Sequence, residues 1–112
     1  TVEWSCSLPQ LACGKTLTVS RGVQCEDKLI PVAIVGTIVP FNFPIMVSMW
    51  TTPIALTMGN AVILKPSEKV PMTMTRVAEL IKQAGVPDGI FQIVQGTVDV
   101  VNGLCDHPDI KA

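Results

Sequence analysis

Residues Val32 to Val39 (VAIVGTIV) form an unbroken apolar, β-branched run, the pattern of a strand covered on both faces in a parallel sheet. From Pro44 to about Met58 the chain stays apolar and ends at Gly59-Asn60, which predicts a buried helix with Pro44 in its first turn. Ala61 to Leu64 predicts a short second strand. Met74, Val77, Ala78 and Ile81 then recur at helical spacing, with Pro71 at the start and Gly85 and Pro87 at the end, so Pro71 to Ala84 predicts an amphipathic helix. Ile90 to Val94 predicts a third strand, Val98 to about Cys105 a third helix, and Ile110 to Ala112 the opening of a fourth strand.

Before Val32 the pattern differs. Between Gly14 and Lys28 the chain is polar and β-branched, with Leu17, Val19 and Val23 around Arg21-Gly22, which predicts a hairpin turning at the glycine. Residues 1–13 read as the end of a helix from a preceding domain. Three segments follow: 1–13 as that helix end, 14–30 as a hairpin arm and 31–112 as part of a nucleotide-binding domain. With 48% hydrophobic and only 15% charged residues the chain is more apolar than a small autonomous domain should be, and reads as a core segment of a larger protein. Strands alternating with helices predict an α/β fold, a Rossmann-like parallel sheet with flanking helices, whose ligands bind beyond the carboxyl ends of the strands. Those ends are Val39 to Asn42 and Lys65 to Lys69.

Composition narrows the partners. Eight Lys plus Arg against nine Asp plus Glu give a formal net charge of -1, which excludes a basic footprint for nucleic acid. Leu29 to Leu64 carries no charge, but Pro31, Pro40, Pro44 and Pro53 with Asn42 and Asn60 argue against a membrane-spanning helix. Cys6, Cys13, Cys25 and Cys105 form no CxxC pair and His107 is the sole histidine, so no metal site is expected and the thiols are expected to be reduced.

Two segments could carry chemistry. In Pro40-Phe41-Asn42-Phe43-Pro44, two prolines restrict the backbone around an amide just past a buried strand, which suits a preorganised hydrogen-bond donor; the same Asn42 would also serve as a helix N-cap. Lys65-Pro66-Ser67-Glu68-Lys69 places a cation, a hydroxyl and a carboxylate after a strand, where Lys65 and Glu68 could meet a ribose diol. Ser67 and Glu68 could equally cap the next helix. The glycine fingerprint GxGxxG is missing, because Gly96 is followed by Thr97-Val98-Asp99.

Together IVPFNFP, GNAVILKPSEKVP, AELIKQAGVPDG and CDHPDIKA resemble the aldehyde dehydrogenase superfamily in order and spacing across nearly the whole chain. Within it, PFNFP, KPSEKVP and VNGLCDHPDIKA resemble the methylmalonate-semialdehyde dehydrogenases, the acylating branch that uses coenzyme A. The resemblance implies that Asn42 is the oxyanion-hole donor, that Val39 and Phe41 line the nicotinamide side of an NAD site, and that Lys65 and Glu68 hold the adenosine ribose. Lys69, which stands where this branch often has Arg, is implied as a further cofactor-binding residue. It also implies that 14–30 is an oligomerisation arm of a homo-oligomer, a tetramer, and that the nucleophilic cysteine lies outside these residues, so that the chain alone is inactive. The implied reaction is NAD-dependent oxidation of a small-molecule aldehyde, methylmalonate or malonate semialdehyde, to an acyl-CoA with loss of CO2. The alternatives are a non-acylating aldehyde dehydrogenase and a non-catalytic cofactor-binding or interaction piece. The expected location is intracellular, cytoplasmic in a bacterium or mitochondrial in a eukaryote.

Overall fold

A computed structural model describes residues 1–112. Residues 1–13 form two single helical turns, α1 (Val2–Ser5) and α2 (Leu8–Leu11), where the sequence suggested one continuous helix end. Pro9 accounts for the break, since it cannot donate a backbone bond to the turn before it. The predicted hairpin is present as β1 (Lys15–Ser20) and β2 (Val23–Asp27), antiparallel, with a bulge between Thr18 and Ser20. Gly22 closes its turn at φ 79°, a conformation that costs glycine little. Every residue of both strands is exposed, Leu17, Val19 and Val23 included. The chain's radius of gyration is 17.1 Å, against about 13 Å for a compact domain of this length. The excess and the long axis of 61 Å fit a hairpin standing clear of the remainder.

β3 (Ile34–Ile38) is shorter than the apolar run that predicts it. Ala33 leaves the extended region at φ 91°, and its N–H is held by Asn60 Oδ1 at 3.1 Å instead of by a neighbouring strand. The Asn60 amide in turn donates to Ala55 O at 3.1 Å, so Asn60 clamps the entry of one strand to the end of a helix. β4 (Ala61–Lys65) and β5 (Phe91–Ile93) complete a parallel sheet in the order β3-β4-β5. Lys65 continues the second strand one residue past its predicted end by pairing with Ile38. The residues predicted to open a fourth strand form an isolated bridge on the free side of β3 and no strand of their own: Ile34 bridges Ile110, Lys111 N–H donates to Ile34 O at 2.9 Å, and Gly36 N–H donates to Ala112 O at 2.7 Å.

The helix expected from Pro44 starts as isolated turns and becomes regular only in α3 (Ser48–Thr57). Phe43, at φ 57°, interrupts a continuous helical path, while Ser48 Oγ and Val47 N–H hold the preceding turn by bonds to Pro44 O and Phe43 O at 2.9 and 3.1 Å. Only Ser48 and Thr52 of α3 are buried, and Trp50 keeps 53% exposure, so this helix is half covered where burial was expected. Apolar residues on every side give it no single face to turn inward, and two small hydroxyl residues form its inner stripe.

α4 (Pro71–Gln83) and α5 (Val98–Asp106) match the periodicity closely. Val39, Leu64 and Met74 form the core, flanked by Val47, Met49, Val77, Phe91 and Ile93. That cluster sits directly under the carboxyl ends of β3 and β4, and so supports the residues that leave them. No helix is long and apolar enough to cross a membrane.

Candidate functional site

The exits of β3 and β4 are tied together by backbone. Val39 is buried, and its N–H donates to Lys65 O at 3.1 Å, extending the parallel pairing one step past Ile38. From there the chain emerges through Pro40 to Phe41, Asn42 and Phe43, all exposed. Asn42 takes no part in capping: the N-cap position of α3 is Val47, five residues on, and no side chain bonds to that helix's first N–H groups. Its amide is therefore free to meet a ligand.

At the exit of β4, Lys65 is only 4% exposed, yet its Nζ reaches Glu68 Oε2 at 3.3 Å. Pro66 and Ser67 are buried beneath the turn, and Ser67 Oγ accepts the Lys69 N–H at 3.3 Å. Val70 N–H donates to Ser67 O at 3.1 Å. Ser67 thus shapes its own turn. α4 has Val70 at its N-cap without a side-chain cap bond, so the capping role considered for Ser67 and Glu68 is not taken up. Lys69 places its ammonium 4.5 Å from the centre of the Phe41 ring, a cation–π contact that joins the two loops.

Electrostatics favour an ionised Glu68. Its carboxyl is held below the ordinary value of 4.5, first by its own backbone N–H and then by the Lys65 ammonium, with smaller help from Lys65 and Lys69 as charges. Burying Lys65 would be costly without a partner, and Glu68 supplies one while keeping half its side chain in solvent. A carboxylate acceptor beside an ammonium with unused donors, beyond the ends of parallel strands, suits a vicinal diol or a phosphate-bearing sugar. Of the candidate residues, the structure links Val39 to Lys65 through the backbone, Lys65 to Glu68 by an ion pair and Lys69 to Phe41 by the cation–π contact, with Val39 and Lys65 buried beneath the exposed Phe41, Glu68 and Lys69 and with Asn42 next to Phe41 along the chain. The Lys69–Phe41 contact had no signal in the sequence, because 28 positions separate the partners. The four cysteines are free and exposed, and none lies on either loop. No group of side chains fit to hold a metal is present.

An open parallel sheet with helices packed on it, and polar residues gathered past two adjacent strand ends, define an α/β fold of the parallel-sheet type. The profile of the aldehyde dehydrogenase family matches residues 1–112. Malonate-semialdehyde dehydrogenase of Lacticaseibacillus casei is 51% identical over 99% of this chain and 23% of its own length. A methylmalonate-semialdehyde dehydrogenase of Oceanimonas doudoroffii superimposes with a TM-score of 0.93 at 36% identity, over 97% of this chain and 22% of its own. The NAD+ complex of an aldehyde dehydrogenase from Bacillus cereus superimposes with a TM-score of 0.89 at 31% identity, over 96% and 22%. The chain belongs to the aldehyde dehydrogenase family, and spans about a quarter of the length of the relatives it matches.

Proposed function

We propose that this chain forms part of the cofactor-binding domain of an NAD-dependent enzyme that oxidises malonate or methylmalonate semialdehyde and transfers the acyl group to coenzyme A, with loss of CO2. The observation that carries the reading is the set of contacts that joins Lys65 to Glu68 and Lys69 to Phe41 beyond the paired ends of β3 and β4. It is supported by the identity to malonate-semialdehyde dehydrogenases along the whole chain and by structural likeness to a relative that holds NAD+.

The residues have separate tasks. Glu68 accepts hydrogen bonds from the adenosine ribose hydroxyls and Lys65 donates to them, while Val39 and Phe41 line the nicotinamide side. An ionised Glu68 at the ribose repels the extra phosphate of NADP, which favours NAD. NAD, when bound, supplies a hydride acceptor. Asn42 Nδ2 donates to the substrate oxygen as a cysteine thiolate of the complete enzyme adds to the aldehyde carbon. The charge that develops on that oxygen meets a donor already in place, and its stabilisation lowers the barrier. After the hydride has left, the acyl group is a cysteine thioester; its free carboxylate leaves as CO2, a proton taking its place on the adjacent carbon, and the thiol of coenzyme A then displaces the cysteine thiolate to give the shorter acyl-CoA. The exposed hairpin β1-β2 serves as the arm through which subunits of a homo-oligomer engage, its open strand edges being ready pairing surfaces.

Coenzyme A dependence tests the branch. With malonate semialdehyde and NAD, the complete enzyme is expected to form NADH in sustained turnover only when coenzyme A is added, and acyl-CoA is the expected product. Sustained turnover to a free acid without coenzyme A would reassign it to the hydrolytic aldehyde dehydrogenases. The 112-residue chain alone is expected to form no NADH under either condition.

Acid should weaken cofactor binding in a definite window. Glu68 has a lowered folded pKa, so its carboxylate persists above the ordinary value of 4.5 and is lost only as pH falls through a value beneath that. The contribution of Glu68 to NAD affinity is therefore expected to be constant from neutral pH down to the ordinary carboxylate value and to decline below it. Comparing native enzyme with Glu68→Gln by NAD titration across this range isolates it. A difference between the two that disappears already near neutral pH would contradict the assignment.

A further inference from the structure

We infer that Lys69 is a positioning residue for Asn42, holding the loop that carries the oxyanion donor through the ring of Phe41. This rests on the oxyanion role proposed for Asn42. Three observations carry it. The Lys69 ammonium lies 4.5 Å from the Phe41 ring centre, and Phe41 immediately precedes Asn42. Lys65 is already engaged by Glu68, whereas none of the chain's salt bridges includes Lys69. The side chains of the segment to be held have little other support: Phe41 and Phe43 are 52% and 61% exposed and Asn42 is exposed, the backbone being fixed only from Phe43 onward.

The Lys69 end of the contact is the firmer one. Its backbone N–H is fixed by Ser67 Oγ at 3.3 Å, in a turn where Pro66 and Ser67 are buried. The adjacent Val70 N–H bonds to Ser67 O, and α4 begins at Pro71. Position is thus relayed from the rigid exit of β4 to the exposed exit of β3. A planar guanidinium stacks on an aromatic face at least as well as an ammonium, so Arg can do the same work. A small displacement of a preorganised donor costs rate without altering cofactor affinity, which separates this role from simple phosphate or ribose binding.

A cycle of variants in the complete enzyme tests the relay, with kcat read at saturating NAD and aldehyde. Lys69→Met is expected to lower kcat about fivefold, the fold-change to which an exposed cation–π contact converts, and Lys69→Arg to recover most of that loss. Phe41→Leu is expected to lower kcat comparably, and adding Lys69→Met to it to cost nothing more. In an Asn42→Ala background, Lys69→Met is expected to have no further effect on kcat, because the donor it positions is gone. Equal losses from Lys69→Met in the native and Asn42→Ala backgrounds would overturn the proposal while leaving the oxyanion role intact. A rise in the KM for NAD with kcat unchanged would overturn it too, as it would assign Lys69 to cofactor binding alone. If Asn42→Ala itself left kcat unaltered, the oxyanion reading would fall, and the relay with it.

Discussion

Asn42→Ala is expected to lower the kcat of the complete enzyme by about 10²–10³-fold, the range for removing one side-chain donor from an oxyanion hole. The magnitude follows from where the amide is needed. In the proposed reaction a carbonyl oxygen that bore a partial charge becomes an alkoxide as the thiolate adds, so a donor fixed beforehand interacts more strongly with the transition state than with the aldehyde. Asn42 is suited to this because it is exposed and no helix cap engages it, so its Nδ2 needs no release from a cap before use. NAD affinity should change little, since the proposed assignment gives the ribose contacts to Lys65 and Glu68. A loss in kcat below about tenfold, in a protein that still binds NAD, would mean that the oxyanion is stabilised chiefly by other groups.

Leu64→Ala is expected to destabilise the protein by about 2–5 kcal/mol, a large share of the roughly 5–15 kcal/mol that separates a folded domain from its unfolded state. Leu64 is fully buried on β4, between Val39 at the end of β3 and Met74 on α4, with Val47, Met49, Phe91 and Ile93 around them. Few neighbours can collapse into the space, because β3 and β5 pin the strand on both sides. The same void would loosen Val39 and Lys65, whose backbone bond couples the two exits, so NAD affinity should fall together with stability. Urea unfolding gives the first quantity through a lowered midpoint at unchanged slope, and NAD titration gives the second. Destabilisation of less than about 1 kcal/mol would show that this cluster is not the support of the site.

Much of this architecture is legible in the residues. Runs of β-branched apolar residues place β3, β4 and β5, and the spacing of Met74, Val77, Ala78 and Ile81 places α4, because burial imposes a period that the sequence must carry. The hairpin turn at Arg21-Gly22 is legible for a similar reason, as glycine supplies its positive φ. The ends of elements are less so. Ala33 at φ 91° and Phe43 at φ 57° adopt conformations that their residue types do not announce, and these shorten β3 and delay α3. They persist because neighbours hold them, as Asn60 holds the Ala33 N–H. An Asn after Gly59 reads as a helix stop, and its double hydrogen bond to Ala33 and Ala55 is visible only once the chain has folded back.

The site divides in the same manner. Lys65 and Glu68 are neighbours in sequence, so a donor and an acceptor at one strand exit could be inferred together. The residue patterns left Asn42 and Ser67 open between capping and other tasks, and the geometry removes the capping option for both. Nothing local hints that Lys69 lies over Phe41, since the contact arises from the parallel alignment of β3 with β4.

If Lys65 and Glu68 hold the adenosine ribose, the NAD dissociation constant of the complete enzyme must depend on the Glu68 carboxylate. Calorimetric titration of native enzyme and Glu68→Ala measures this directly. Loss of hydrogen bonds to a charged group should weaken NAD binding by at least about tenfold, and preference for NAD over NADP should narrow as the repulsive charge disappears. Unchanged NAD affinity and unchanged preference in a correctly folded Glu68→Ala protein would contradict the placement of the cofactor at the exit of β4.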